Sequence, residues 1–232
     1  MAENPSGPGT GNDLTVDEFL TQTQTDEGGP EAEYTCPVRE AVAGNRAAPG
    51  CTLARLALDE YAAVRAAAAS NLRTPAPSLG VLAADAYAEV RAAVAANPRA
   101  PDALLAVLAA DVDPHVRGAV GLNARALSVA LLAVLAADPD PWVRWAATSQ
   151  PGLDVRSLTV LAADPDDGVR LGTAEHPRTP GMALTVPAAD PEWWVREAVA
   201  AHPRTPAHVR AVLAADPQPE VRETATAGSH SH

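Results

Sequence analysis

Few residues of this sequence have types that could do chemistry, and their spacing narrows what that chemistry is. The two cysteines, Cys36 and Cys51, are half the number a four-thiolate metal or cluster site needs and too few for a disulfide framework, so both read as reduced, structural thiols. Among the six histidines, His176 and His202 occupy the same point of two consecutive sequence units and read as helix-ending residues, with a layer spacing of about 10 Å too wide for a shared metal. His115 and His208 read as surface residues, and His230 with His232 offers only two loose ligands. The paired acids Asp138/Asp140 and Asp166/Asp167 are explained by helix starts. No nucleophile, base and acid set remains, nor a phosphate-cradling glycine loop, so the reading is no enzyme, no cofactor and no metal. The tryptophans differ in kind. Trp142, Trp145, Trp193 and Trp194 are all four in the chain, and their chemistry is recognition: an apolar anchor, or an indole face for a cation.

What must position these side chains is a repeat. With Val-Arg as the phase mark, copies stand at Val38-Arg39, Val64-Arg65, Val90-Arg91, Val116-Arg117, Val143-Arg144, Val169-Arg170, Val195-Arg196 and Val221-Arg222, eight copies with a 26-residue period and one interval of 27. Five places before each Val comes an acid, Glu33 and then Asp59, Asp85, Asp111, Asp138, Asp164, Asp190 and Asp216. Seven places after it comes Asn45, Asn71, Asn97, Asn123, Gln150, His176, His202 or Gly228. A period of this size means stacked supersecondary units.

The punctuation divides each unit into two helices. Asp followed by Pro, as at Asp138-Pro139, predicts an N-cap and first helical residue for a helix A that ends at the Asn or His. An Ala three places after the Val (Ala41, Ala67, Ala93, Ala119, Ala146, Ala198) is small enough to let neighbouring helices approach. Helix B opens at Pro49, Pro75, Pro101, Pro180 or Pro206, with Thr74, Thr179 and Thr205 as caps, and carries a one-sided stripe such as Leu79 with Leu82 or Leu158 with Leu161. Stacking brings each Arg near the Asp or a loop carbonyl of a neighbouring unit, giving a ladder of charge-assisted hydrogen bonds.

The composition agrees. Aromatic residues are 3% of the chain, and an apolar content dominated by Ala, Val and Leu favours packed helices over a sheet. All 17 basic residues are Arg, against 29 acids. Residues 1–33 hold eight acids and no base, leaving 21 acids against 17 Arg, or −4, beyond them. A net-negative body argues against nucleic-acid binding, which depends on neutralising phosphates. With no 18-residue apolar run and no charged, apolar leader, the expectation is a soluble cytoplasmic protein without a membrane span.

The unit V-R-x-x-V-A-x-N-P-x-x-P-x-x-L-L-x-x-L-A-x-D, read from Val90 to Asp111, resembles the leucine-rich repeat variant family, and its D…VR half is similar to HEAT-type repeats. The resemblance spans residues 33 to about 228. It implies a right-handed superhelix of alternating α and tighter, 3₁₀-like helices. Some members of that family carry an N-terminal cysteine cluster for an iron–sulfur centre, which would imply a redox role; with only Cys36 and Cys51 this sequence lacks that pattern. A HEAT-like nucleic-acid-binding role is the other alternative.

Where the repeat breaks, function can show. Trp142 and Trp194 take the place before the Val where other units have Pro37, Ala63, Glu89, His115, Gly168 and Glu220. The unit between them has Gly168 in that place, Gly172 for the usual Ala, and Pro187 inside helix B, which should shorten or bend that helix. The expectation is a notch of small residues flanked by indoles. Because the two registers are roughly 20 Å apart, it suits a protein or extended peptide better than a small molecule. Residues 1–32 read as a disordered acidic tail with a short helix at 13–20, where Leu14, Val16, Phe19 and Leu20 have the spacing of a docking face. The whole reads as an all-α solenoid of about eight two-helix repeats over 33–228, with a frayed C-terminus at 229–232. The last unit lacks a helix B, which leaves an uncapped end through which two copies could pair.

Overall fold

The computed structural model describes residues 36–227. The docking residues Leu14, Val16, Phe19 and Leu20, the first acid Glu33, Gly228, and His230 with His232 lie outside them. Eight A helices run along the chain: α1 (Pro37–Gly44), α3 (Ala62–Ser70), α5 (Ala88–Ala96), α7 (Pro114–Gly121), α9 (Pro141–Thr148), α11 (Asp167–Glu175), α12 (Trp193–Ala201) and α14 (Pro219–Ala227). Between them lie B helices α2 (Gly50–Leu56), α4 (Ala76–Leu82), α6 (Asp102–Leu108), α8 (Val129–Ala136), α10 (Val155–Leu161) and α13 (Ala207–Leu213). Each A helix packs against the A helices of adjacent repeats, whereas most B helices pack mainly on neighbouring A helices. The result is a helical-repeat solenoid, with no strand among the described residues.

The sixth repeat departs from this plan. In place of helix B it has two 3₁₀ turns, Ala183–Thr185 and Pro187–Ala189. Pro187 has no N–H to give an α-helical turn and would clash with the turn before it, so the chain restarts there. The B helices elsewhere among the described residues are regular α over seven or eight residues, so the tighter, 3₁₀-like second helix expected in some repeats is found in this one.

The phase-marking valines form the core: Val64, Val90, Val116, Val143, Val169, Val195 and Val221 are fully buried, as are the paired leucines Leu79 with Leu82, Leu105 with Leu108 and Leu158 with Leu161. Val38 is 40% exposed because no described repeat stacks on its side. Small residues set the helix approach at two places. Three places after the Val, Ala146 is fully buried and Ala67, Ala93, Ala119 and Ala198 pack against the core, while Ala41 in the first repeat is exposed. Five places after the Val, Ala43, Ala69, Ala95, Gly121, Ala174 and Ala200 are buried as well. At Gly121 a methyl group would stand 2.9 Å from the Ala146 Cβ, so the backbones there touch.

Two local expectations are also corrected. The repeated Asp does not cap helix A. Asp138 accepts from the N–H of Asp140 two residues on, an Asx turn, and the cap is Asp140, which accepts from the N–H of Trp142. Thr74, Thr179 and Thr205 do not cap helix B either. Each donates its hydroxyl backwards, to the carbonyls of Ala68, Thr173 and Val199, closing the end of the helix A before it.

Candidate functional site

Two ladders of side-chain hydrogen bonds join each repeat to its neighbour. In the first, each Arg makes a two-pronged contact with the Asp of the next repeat: Arg65 with Asp85, Arg91 with Asp111, Arg117 with Asp138, Arg144 with Asp164, Arg170 with Asp190 and Arg196 with Asp216, at Nε–Oδ2 distances of 2.5 to 2.7 Å. Arg39 pairs with Asp59 at 2.8 Å. The remaining guanidinium nitrogen reaches back to two loop carbonyls of its own repeat, as Arg144 does to Asp138 and Pro139 at 3.0 Å. Arg222, in the last repeat, donates to the carbonyls of Asp216 and Pro217. Each paired Asp also accepts from the backbone N–H two residues on. The Arg hydrogen bond holds the Asp111 and Asp216 carboxyls below their ordinary range against the effect of burial. At Asp85, Asp138 and Asp190 burial pushes up most strongly, but the Arg, the N–H and the charge of two neighbouring guanidiniums together outweigh it.

The second ladder runs through the turns after the A helices. Asn71, Asn97 and Asn123 each donate their side-chain amide to two carbonyls of the preceding repeat, and Gln150 does the same to Gly121 and Asn123. His176 and His202 continue the series. Nδ1 accepts the N–H of Arg178 or Arg204, so Nε2 must carry the proton that it shares with the carbonyl of Gln150 or His176. Both rings are neutral in this role, and burial pushes both imidazoles below their usual range. They are structural donors, each at the end of its own helix.

Against this framework the tryptophans sit as two pairs. The rings of Trp142 and Trp145 are stacked, with centroids 4.9 Å apart, and those of Trp193 and Trp194 meet edge to face at 6.0 Å. Trp142 is 41% exposed and Trp193 and Trp194 are 36% exposed, while Trp145 packs partly on the core. Two glycines make the seats. A methyl at Gly118 would strike the Trp142 indole around Nε1, so that ring packs directly on the α7 backbone. A methyl at Gly172 would strike the Thr148 hydroxyl and approach Trp145. Gly172 is therefore filled from the preceding repeat and is not an open floor. Pro187 is buried within its 3₁₀ turn and lies off the exposed surface, a correction to its inclusion among contact residues. Gly168 differs: a methyl there would approach only Asp166, so a gap in the side-chain row separates the registers of Trp142 and Trp194.

A feature not anticipated from the sequence lies at the other end of the molecule. A cleft of about 520 Å³ is lined by Gly44, Arg46, Ala67, Ser70, Asn71, Leu72 and Arg73, where α1 and α3 end. Arg73 begins a row, two places after each ladder Asn or His, that continues through Arg99, Arg125, Arg178 and Arg204. Their 26-residue recurrence was the available signal, masked by the more regular Val-Arg pairs. Arg125 is paired with Asp102 at 2.6 Å. For Arg46, Arg73 and Arg99 no described carboxylate comes within ion-pair distance.

The donor set does not fit an iron–sulfur centre. Cys36 precedes the first residue of α1, Cys51 lies beyond its far end, and no group of three or more His, Cys, Asp or Glu gathers among the described residues. No helix among them is long and apolar enough to cross a membrane.

The solved structure of a leucine-rich repeat variant with a novel repetitive structural motif is 31% identical, covers 78% of this chain and 71% of its own, and superposes with a TM-score of 0.60. The chain belongs to the leucine-rich repeat variant family. The family's own sequence model matches residues 193–218, the α12–α13 unit of this leucine-rich repeat variant protein. Designed armadillo repeat proteins, one set described as made for modular peptide recognition, are 15% and 16% identical, cover 91% of this chain and 98% of theirs, and superpose only loosely, with TM-scores of 0.29 and 0.26. The search of curated proteins gives no match.

Proposed function

We propose that this leucine-rich repeat variant protein is a non-catalytic scaffold that binds a protein or extended peptide across the outer face of α9, α11 and α12. One observation carries the reading: Trp142 and Trp194 remain more than a third exposed in the two repeats that flank Gly168, at the place where other repeats present Pro, Ala, Glu or His, and Trp193 is exposed beside Trp194. An exposed indole already held against a glycine seat loses little further freedom on binding, and burying it contributes on the order of 2 kcal/mol or more. The gap at Gly168 would admit a side chain between the two registers. Glu175, exposed at the end of α11, and Glu197, partly exposed on α12, favour a partner that is apolar with some basic character.

A peptide-display selection against the full chain tests this. Selected peptides should be enriched in apolar and basic residues and should lose about tenfold or more in affinity for a Trp142→Ala/Trp194→Ala variant of unchanged helicity. Equal affinity for both proteins would sink the reading.

A further inference from the structure

The cleft at the ends of α1 and α3 carries positive charge that the described structure does not neutralise, and the chain itself contains a segment of opposite charge within reach. We propose that residues 13–20 dock in cis into this cleft, with Phe19 or Leu20 against Leu72 and Ala67 and the surrounding carboxylates facing Arg46 and Arg73. The inference does not rest on the tryptophan surface, which lies several repeats away along the chain.

Three observations support it. First, the charge is complementary in both directions. Residues 1–35 contain eight carboxylates and no Arg or Lys, while Arg46, Arg73 and Arg99 have no carboxylate partner among the described residues. The C-terminal ends of α1 and α3 would ordinarily repel an anion, but the carbonyls of Ala43 and Asn45 are taken by the Asn71 amide and those of Ala68 and Ala69 by Thr74 and Asn97, which leaves the guanidiniums as the full charges there. Second, the cleft has an apolar wall. Leu72 is 51% exposed beside Ala67, and a volume of about 520 Å³ lies within the ~300–1,000 Å³ range of sites that bury bulky groups. Phe19 is the one phenylalanine in the sequence and stands with Leu14, Val16 and Leu20 in the stretch that carries acids at 13, 17 and 18. Third, the reach is ample. The described chain starts at Cys36, one short helix from the cleft, about 12 Å at helical rise, and the residues from 20 to 36 span up to ~50 Å when extended. A tether of that length gives an effective concentration in the ~mM range, so a weak contact suffices.

The test uses the full chain with Phe19 replaced by photo-reactive benzoylphenylalanine, irradiated at low salt and mapped by mass spectrometry. The expected product is monomeric and cross-linked to residues 67–73. Its yield should fall about fivefold at high salt, and about fivefold in an Arg46→Glu/Arg73→Glu background whose thermal melt matches the parent. Both arginines are exposed and outside the two ladders, so that background is expected to fold. Cross-links to another surface, a covalently dimeric product, or a yield unchanged by charge reversal would each overturn the proposal.

Discussion

At the scale of single residues, the same type does different work according to what the neighbouring repeat offers. Trp142 lies on Gly118 because the α7 surface has no side chain there. Replacing Gly118 with Ala gains helix propensity of about 1 kcal/mol and loses the seat, and because Trp142 is partly exposed its ring can swing outward. The expected outcome is a melting temperature close to the parent's together with loss of the circular-dichroism exciton couplet of the stacked Trp142–Trp145 pair. Asp164 is the opposite case. Its side chain is 6% exposed and is the partner of Arg144, itself 13% exposed. Asp164→Ala leaves a mostly buried guanidinium with only two carbonyls, and urea unfolding should register a loss of about 3 kcal/mol.

Elements are joined by ladders whose members titrate, which ties stability to pH in two windows. His176 and His202 have folded-state pKa values below the unfolded value near 6.5, since burial, the Nδ1 acceptor role and the nearby Arg178 and Arg204 all disfavour the imidazolium. The unfolded chain therefore takes up protons first, and the stability these rings contribute is complete above about pH 6.5 and declines as pH falls below it. Asp85, Asp111, Asp138, Asp190 and Asp216 are also depressed, so their contribution is lost only below about pH 4. A His176→Asn/His202→Asn variant restores the amide used at Asn71, Asn97 and Asn123. Its denaturation midpoint should stay flat between pH 7 and pH 5, where the parent's falls, while both lose stability alike in the acid window; parallel curves throughout would contradict the neutral-donor role. Burial of these residues was not legible in the sequence. Asn, Gln and His all suit a helix end, and only the stacking offset turns the cap of one repeat into a donor for the one before.

For the whole molecule, the largest core block runs between Ala57 and Val169, a small one of Ala43, Leu56, Val64 and Ala68 lies at its N-terminal side, and another extends from Ala174 to Ala225, with α11 as the boundary before it. The repeat at that boundary is the one whose helix B gave way to 3₁₀ turns, which lack the regular i to i−4 hydrogen bonds of the other B helices. Stability in such arrays is a sum of repeat and interface contributions. Hydrogen exchange should accordingly show α12–α14 opening as a unit before α3–α10, with amides of 183–189 among the fastest; uniform protection across α11 would contradict it.

The sequence by itself determined the repeat, its period, the helix pair of the regular units, the buried Val and Leu positions and the presence of an Asp–Arg ladder. Those follow from periodicity and from helix punctuation, which are local. Only the tertiary structure decided that each Arg takes the Asp of the following repeat, that this Asp forms an Asx turn while another residue caps, that a second buried small residue stands five places after the Val, and that Gly172 is filled while Gly168 is open. It also brought Arg46 and Arg73 to one cleft. The physical reason is common to all of these. A spacing along the chain fixes which face of a helix a residue occupies, but the offset and direction of stacking decide what that face meets.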